Sequence, residues 1–204
     1  MHPEARDFTL WARRTLPDSF SCKRVLDVGA GDINGNNRFL FDDCEYHGND
    51  VAPARNVTIV SKTKDLPFEG DSFDTIVSTE CFEHDPELAQ SLGKILQLLK
   101  TGGLFCFTCA TTGRPEHGTR RAVPGDSIGT MAGDPQMHDH YHNVTMQDLE
   151  NAWLDAFSGW AAYENVISHD LYFIGLKRGG NDVAPFPIQG YDAPGTRCIG
   201  FKQL

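Results

Sequence analysis

The stretch VLDVGAGDINGNNR, Val25 to Arg38, decides how the rest of the chain is read. Val25, Leu26 and Val28 surround one aspartate in a short apolar run, the mark of a strand buried on both faces. Gly29 and Gly31 follow, and the chain then turns polar. Such an ending has two readings. Either Asp27 caps a tight turn, or the turn holds something.

Working outward, strands alternate with helices. PEARDFTLWARRTL places Ala5, Phe8, Trp11, Ala12 and Leu16 at helical spacing. NGNNRFLFDD is expected as a short, weakly patterned helix after the first strand. YHGNDV, NVTIV and FDTIVST read as further strands. Asp85 and Pro86 then open a helix whose stripe is Leu88, Leu92, Ile95, Leu96 and Leu99. Lys100, Gly102 and Gly103 are expected to end it, and LFCFTCA is the fifth strand. This alternation implies right-handed crossovers and a parallel sheet. Residues 111–143 show no period, and so long an irregular segment is usually functional. Thr145 caps a helix with the stripe Met146, Leu149, Trp153 and Phe157. AAYENVI and LYFIGLK close the sheet as an antiparallel pair. The expected division is one domain over 1–180, with 111–143 inserted on the acceptor side, and an irregular tail over 181–204.

Bulk properties narrow the function. The chain has 204 residues, with 18 Lys and Arg against 28 Asp and Glu, a formal charge of −10. Its basic residues are scattered, which disfavours a nucleic-acid partner. No apolar run approaches the roughly 18 residues of a membrane span. The N-terminal stretch lacks the apolar block of a secretory signal. Six cysteines read as small core residues in a reducing cytoplasm. Cys106 and Cys109 form a lone C-x-x-C, but three residues apart on a strand they point to opposite faces.

In an open parallel sheet, ligands bind beyond the carboxyl ends of the strands, where the strand order reverses. Gly29 and Gly31 let the backbone approach a ligand closely. Asp50 follows about twenty residues on, at the end of the second strand, where a carboxylate accepts from both hydroxyls of a ribose. A dinucleotide site needs a third glycine; here Ile33 and Asn34 stand there. A Walker lysine is also absent. Asp27, ahead of the glycines, repels phosphate and suits an ammonium group. The implied ligand has ribose hydroxyls, a cationic end and no phosphate.

S-adenosylmethionine fits that description, and the sequence resembles the class I S-adenosylmethionine-dependent methyltransferases. LDVGAG, GND, DLPFEGDSFDTIVSTECFEH and LLKTGGLFCF match the family's motifs in order, over about residues 20–110. GDINGNNR resembles a subgroup with Asp-x-Asn-Gly-x-x-Arg at this turn. The resemblance implies an α/β, Rossmann-like, doubly wound sheet of seven mostly parallel strands with an antiparallel last strand. It places Asp27, Gly29, Ala30, Gly31, Asp50 and Val51 on the cofactor, with Glu80 at the rim. The family's acidic residue before Leu-Pro-Phe is replaced by Lys62, Thr63 and Lys64. The adenine contact is therefore expected from Asp65, or from backbone near Lys64 to Leu66.

The acceptor side offers histidines. His84 is either structural or, with His140, a general base. His117, Arg121 and His142 either contact the acceptor or knit the long loop together. His138, His140 and His142, with Asp139, suit a divalent metal or simply a polar loop; no metal is assigned. A methyl group moves by in-line displacement, so the protein chiefly aligns the partners and excludes water. The histidines favour O-methylation of a small molecule. The Asn/Asp-Pro-Pro-aromatic signature of N-methylation is absent after the fourth strand. Two rivals are a nucleotide-sugar or NAD enzyme, which needs the missing glycine, and a non-catalytic protein that keeps the cofactor as regulator or scaffold.

Overall fold

The structure is a computed structural model, and it describes residues 1–179 and 190–202. The apolar run at Val25 becomes β1 (Arg24–Val28), paired in parallel with β2 (Glu45–Asp50) on one side and β4 (Phe73–Thr79) on the other. The short β3 (Ile59–Val60) extends the sheet beyond β2, and β5 (Leu99–Ala110) lies parallel to β4. β7 (Asp170–Lys177) runs antiparallel to both β5 and β6 (Phe157–Asn165). The order is β3-β2-β1-β4-β5-β7-β6-β8.

The fold class is the Rossmann-like one expected, but with eight strands among the described residues instead of seven. The addition is β8 (Thr196–Lys202), antiparallel on β6, so the expected irregular tail carries a strand. Its pattern is mostly exposed, which is why no apolar run announced it. The remainder of the expected tail lies partly outside the described residues.

Side chains of the central strands alternate between two apolar layers. Leu104 and Cys106 of β5 face α1 (Pro3–Thr15), whereas Phe105, Phe107 and Cys109 face α2 (Leu88–Leu98). The two cysteines therefore sit on opposite faces, as strand periodicity requires. All six cysteines are free thiols. Phe8 of α1 stacks on Tyr172 with ring centroids 4.9 Å apart. On the other face Leu92, Ile95 and Leu98 of α2 are buried against Phe105 and Phe173.

Three expected helices changed. The segment after β1 keeps one 3-10 turn, Arg38–Leu40. Asp32 takes the Gly35 N–H at 2.9 Å, and Asn36 Oδ1 takes the Arg38 N–H at 3.0 Å. Those side chains compete for the donors that a helix would use. Asp148 likewise takes the Thr145 N–H at 2.7 Å, so the next helix shrinks to α4 (Asn151–Leu154). Asp85 takes the Glu87 N–H at 2.8 Å, and α2 starts only at Leu88. It ends at Leu98, and Lys100, Gly102 and Gly103 already belong to β5.

Trp153 ties α4 to α2 within one layer. Its indole N–H donates to the Leu92 carbonyl at 3.2 Å, in a buried setting. Trp153→Phe removes that bond and part of the ring, and lowers stability by about 1–2 kcal/mol. Urea unfolding reads this as a lower midpoint at unchanged slope.

Candidate functional site

The strand order reverses between β1 and β4, and the carboxyl ends of β1, β2 and β4 open onto one hollow. Asp27, Gly29, Ala30, Gly31, Asp50 and Val51 all line it, and so do Glu80, His84 and His117. The long 111–143 segment covers it. Within that segment a 3-10 turn, Pro124–Asp126, leads into α3 (Ile128–Ala132), and Ile128 and Gly129 face the hollow.

Asp27 is only 1% exposed. Burial pushes its carboxyl up to about 6, against the opposing pull of the Tyr46 hydroxyl and the Asn37 amide. Asn37 donates to Asp27 at 2.9 Å and to Thr79 Oγ1 at 3.2 Å. The Asn37 Oδ1 is buried without a partner beside this carboxylate. An ammonium group of a ligand would satisfy both acceptors at once, so the polar end of the hollow fits a cation.

Asp50 accepts the Gly31 N–H at 3.0 Å and the Val51 N–H at 2.8 Å. Burial nonetheless raises its pKa. The two glycines are held by space. A Cβ on Gly31 would stand 2.8 Å from Asp50 Oδ2 and 2.6 Å from Ile128 Cγ1. At Gly29, φ is +72°, and a Cβ would lie 2.5 Å from both Cβ and Sγ of Cys81.

Glu80 ends β4 with φ of 53°, a left-handed conformation uncommon for this residue type. Thr108 Oγ1 donates to it at 2.8 Å. His2 Nε2 lies 3.1 Å from Glu80 and 3.4 Å from Asp170, and Arg114 lies 3.0 Å from Asp170. Burial alone would lower the His2 pKa, but Asp170 and Glu80 outweigh it and raise the imidazole to about 10.

The acceptor end is a cluster of rings. His84 and His117 stand edge to face at 5.1 Å, and Tyr141 lies 5.8 Å and 5.0 Å from them. Burial, with the nearby His117, pushes His84 down to about 3. Both of its ring nitrogens are buried without a partner. Gly118 permits this packing, since a Cβ there would meet His84 Cε1 at 2.6 Å.

Several expected residues stand elsewhere. Asp65 is 58% exposed and lies 3.6 Å from Lys64, and Leu66 is buried in the core beneath α2. Neither lines the hollow; Ser61, Lys62 and Thr63 do. Arg121 is 57% exposed and pairs with Glu116. His142 is half exposed and bonds Asp148 at 3.0 Å. His140 is not among the lining residues. The sequence reading assigned no role to Glu83, Arg114 or His2. For Glu83 a signal existed: it neighbours His84 in the loop after β4, but only the fold shows that it is buried.

Comparison with known proteins places this geometry. A family model described as "Methyltransferase domain" matches residues 26–107. Tocopherol O-methyltransferase, chloroplastic, of Arabidopsis thaliana is 25% identical over 183 residues, covering 80% of this chain and 48% of that protein. Sterol 24-C-methyltransferase of Schizosaccharomyces pombe is 33% identical over 100 residues, covering 40% of this chain and 26% of that protein. The chain thus spans half or less of the length of these curated relatives. Among solved structures, the 1,6-didemethyltoxoflavin-N1-methyltransferase of Burkholderia thailandensis superposes with a TM-score of 0.60 at 15% identity, covering 87% of this chain and 79% of that one. That structure holds its substrate and S-adenosylhomocysteine. No helix among the described residues is long and apolar enough to cross a membrane. Residues 26–107 thus match a methyltransferase domain, and the chain shares the Rossmann-like fold of that methyltransferase structure.

Proposed function

We propose that the chain binds S-adenosylmethionine in the hollow beyond β1, β2 and β4 and O-methylates a small molecule. One observation carries the reading: Asp27, the two glycines and Asp50, separated in sequence, surround one hollow at the reversal of strand order. Asp27 and Asn37 suit the ammonium group, Asp50 the ribose hydroxyls, and the Lys62–Thr63 backbone the adenine. When bound, the cofactor would supply a methyl group already activated on a sulfonium. The protein aligns the acceptor oxygen and excludes water. His84 and His117 lie where the acceptor is expected. At neutral pH the His84 imidazole is uncharged and can accept a hydrogen bond from an acceptor hydroxyl. His140, set off the hollow, is the weaker candidate base. The tocopherol relative supports an oxygen acceptor, and the charge of −10 argues against nucleic acid. Six free thiols suit a reducing compartment such as the cytoplasm.

Two experiments test this. Asp50→Ala weakens binding of S-adenosylhomocysteine by about 1–3 kcal/mol, the loss of a charge-assisted hydrogen-bond pair. Calorimetric titration reads it, and unchanged affinity removes Asp50 from the site. For turnover, methyl-labelled cofactor is offered with a panel of phenols, carboxylates and amines. Label on a phenol or carboxylate supports O-methylation. Cofactor binding with no label on any acceptor supports the scaffold reading instead.

A further inference from the structure

We propose that Glu83, His84 and His117 hold a divalent transition-metal cation on the acceptor side of the hollow. One ligand atom from each lies within 4.8 Å of the other two. Glu83 is the middle residue of the 3-10 turn Phe82–His84 after β4, and its side chain is fully buried. Neither of its carboxylate oxygens has a hydrogen-bond partner, nor has either ring nitrogen of His84. A buried carboxylate and a buried imidazole left unpartnered are costly, and native structures rarely keep them without an occupant.

His117 adds a directional argument. Its Nδ1 stands 3.1 Å from the Pro115 carbonyl, which can only accept, so Nδ1 carries the proton. That leaves a lone pair on Nε2, the atom 3.8 Å from Glu83 Oε1. A backbone carbonyl fixing the tautomer of a ligating imidazole is a recurrent outer-shell device at metal sites.

Local charge agrees. Glu80, Glu83 and Asp170 are three buried carboxylates in one region. His2 pairs with Glu80, and Arg114 pairs with Asp170. Glu83 has no Lys or Arg partner among the described residues; its basic neighbour is His117, 3.8 Å away. The other candidate cluster, His2 with Glu80 and Asp170, is closed by those same ion pairs. In the long loop, His142 bonds Asp148 and Asp139 pairs with Arg120.

Two imidazoles and one carboxylate, with no sulfur, suit zinc, ferrous iron, manganese or cobalt rather than calcium. Metal–ligand bonds of about 2.0–2.2 Å require the three side chains to close by roughly 1 Å on the ion. His84 and His117 line the hollow while Glu83 is fully buried, so the open coordination positions face the acceptor. There the ion would lower the pKa of a bound hydroxyl. The metal assignment stands apart from the methyltransferase reading; only its role as activator of the acceptor rests on it.

The test uses Co2+ alone, added to the full chain stripped with chelator and free of cofactor. The expected result is stoichiometric binding with visible d–d absorption and a raised melting temperature. Glu83→Gln and His117→Ala each weaken Co2+ binding by more than about a hundredfold, beyond the cost of losing an outer-shell partner. His142→Ala leaves it unchanged. Glu83→Gln keeps the shape and breaks no hydrogen bond, so its metal-free melting temperature does not fall, which separates lost ligation from misfolding. Binding of S-adenosylhomocysteine, measured in parallel, reports on the cofactor seat independently. Absence of stoichiometric Co2+ binding, or binding indifferent to Glu83→Gln and His117→Ala, overturns the site.

Discussion

Gly29→Val is expected to abolish cofactor binding and to lower stability by about 2–5 kcal/mol, combining left-handed backbone strain with overpacking. The backbone at this turn has φ of +72°, where a β-branched residue is disfavoured. The new Cβ would also stand 2.5 Å from Cys81 Cβ, an atom too close to its own backbone to swing away. Cys81 begins the turn that carries Glu83 and His84, so the clash pushes the cofactor side against the acceptor side. Urea unfolding and titration with S-adenosylhomocysteine measure the two effects separately. Gly29→Ala in a Cys81→Gly background recovers part of the stability, because it removes the clash and keeps the φ cost. Full stability in Gly29→Val would show that the turn is looser than described.

The second large effect is on pH. Asp27 has a folded pKa of about 6, raised above its ordinary value of 3.8 by burial. The sign follows from which form each state prefers. In the ligand-free protein this group favours folding below 3.8, and that contribution is lost as pH rises through about 6. An ammonium ligand reverses the preference, because it binds the ionised carboxylate. Affinity for S-adenosylhomocysteine is therefore level above about pH 6 and falls about tenfold per pH unit below it. Asp27→Asn is weak and flat across the same range. A wild-type affinity that does not change with acidification places the ammonium group elsewhere.

Much of this was legible in residues. The run around Asp27 required a buried strand, the stripe from Leu88 to Leu99 required a helix, and the spacing of Asp50 brought it to Gly31. These signals are local periodicities and turn geometries, which survive folding unchanged. What escaped has a physical reason. The polar loop after β1 spends its side chains on its own backbone, so NGNNRFLFDD forms one 3-10 turn instead of the expected helix. β8 is an edge strand whose exposed face has no apolar alternation to read. Asp65 was chosen for its charge near the Leu-Pro-Phe run, but the 3-10 turn Thr63–Asp65 aims it at solvent and leaves Thr63 on the hollow. Glu83 carries no sign of burial in its neighbours. Its isolation is a property of the packed loop, visible only when β4, the 111–143 segment and β7 are assembled.

The most direct test is titration of the ligand-free wild type with S-adenosylmethionine itself, beside Gly29→Val and Asp50→Ala. Saturable binding at one molecule per chain, lost in the first variant and weakened in the second, is the expected outcome. Absence of binding by the wild type, or equal binding by all three proteins, would contradict the seat on which every other step depends.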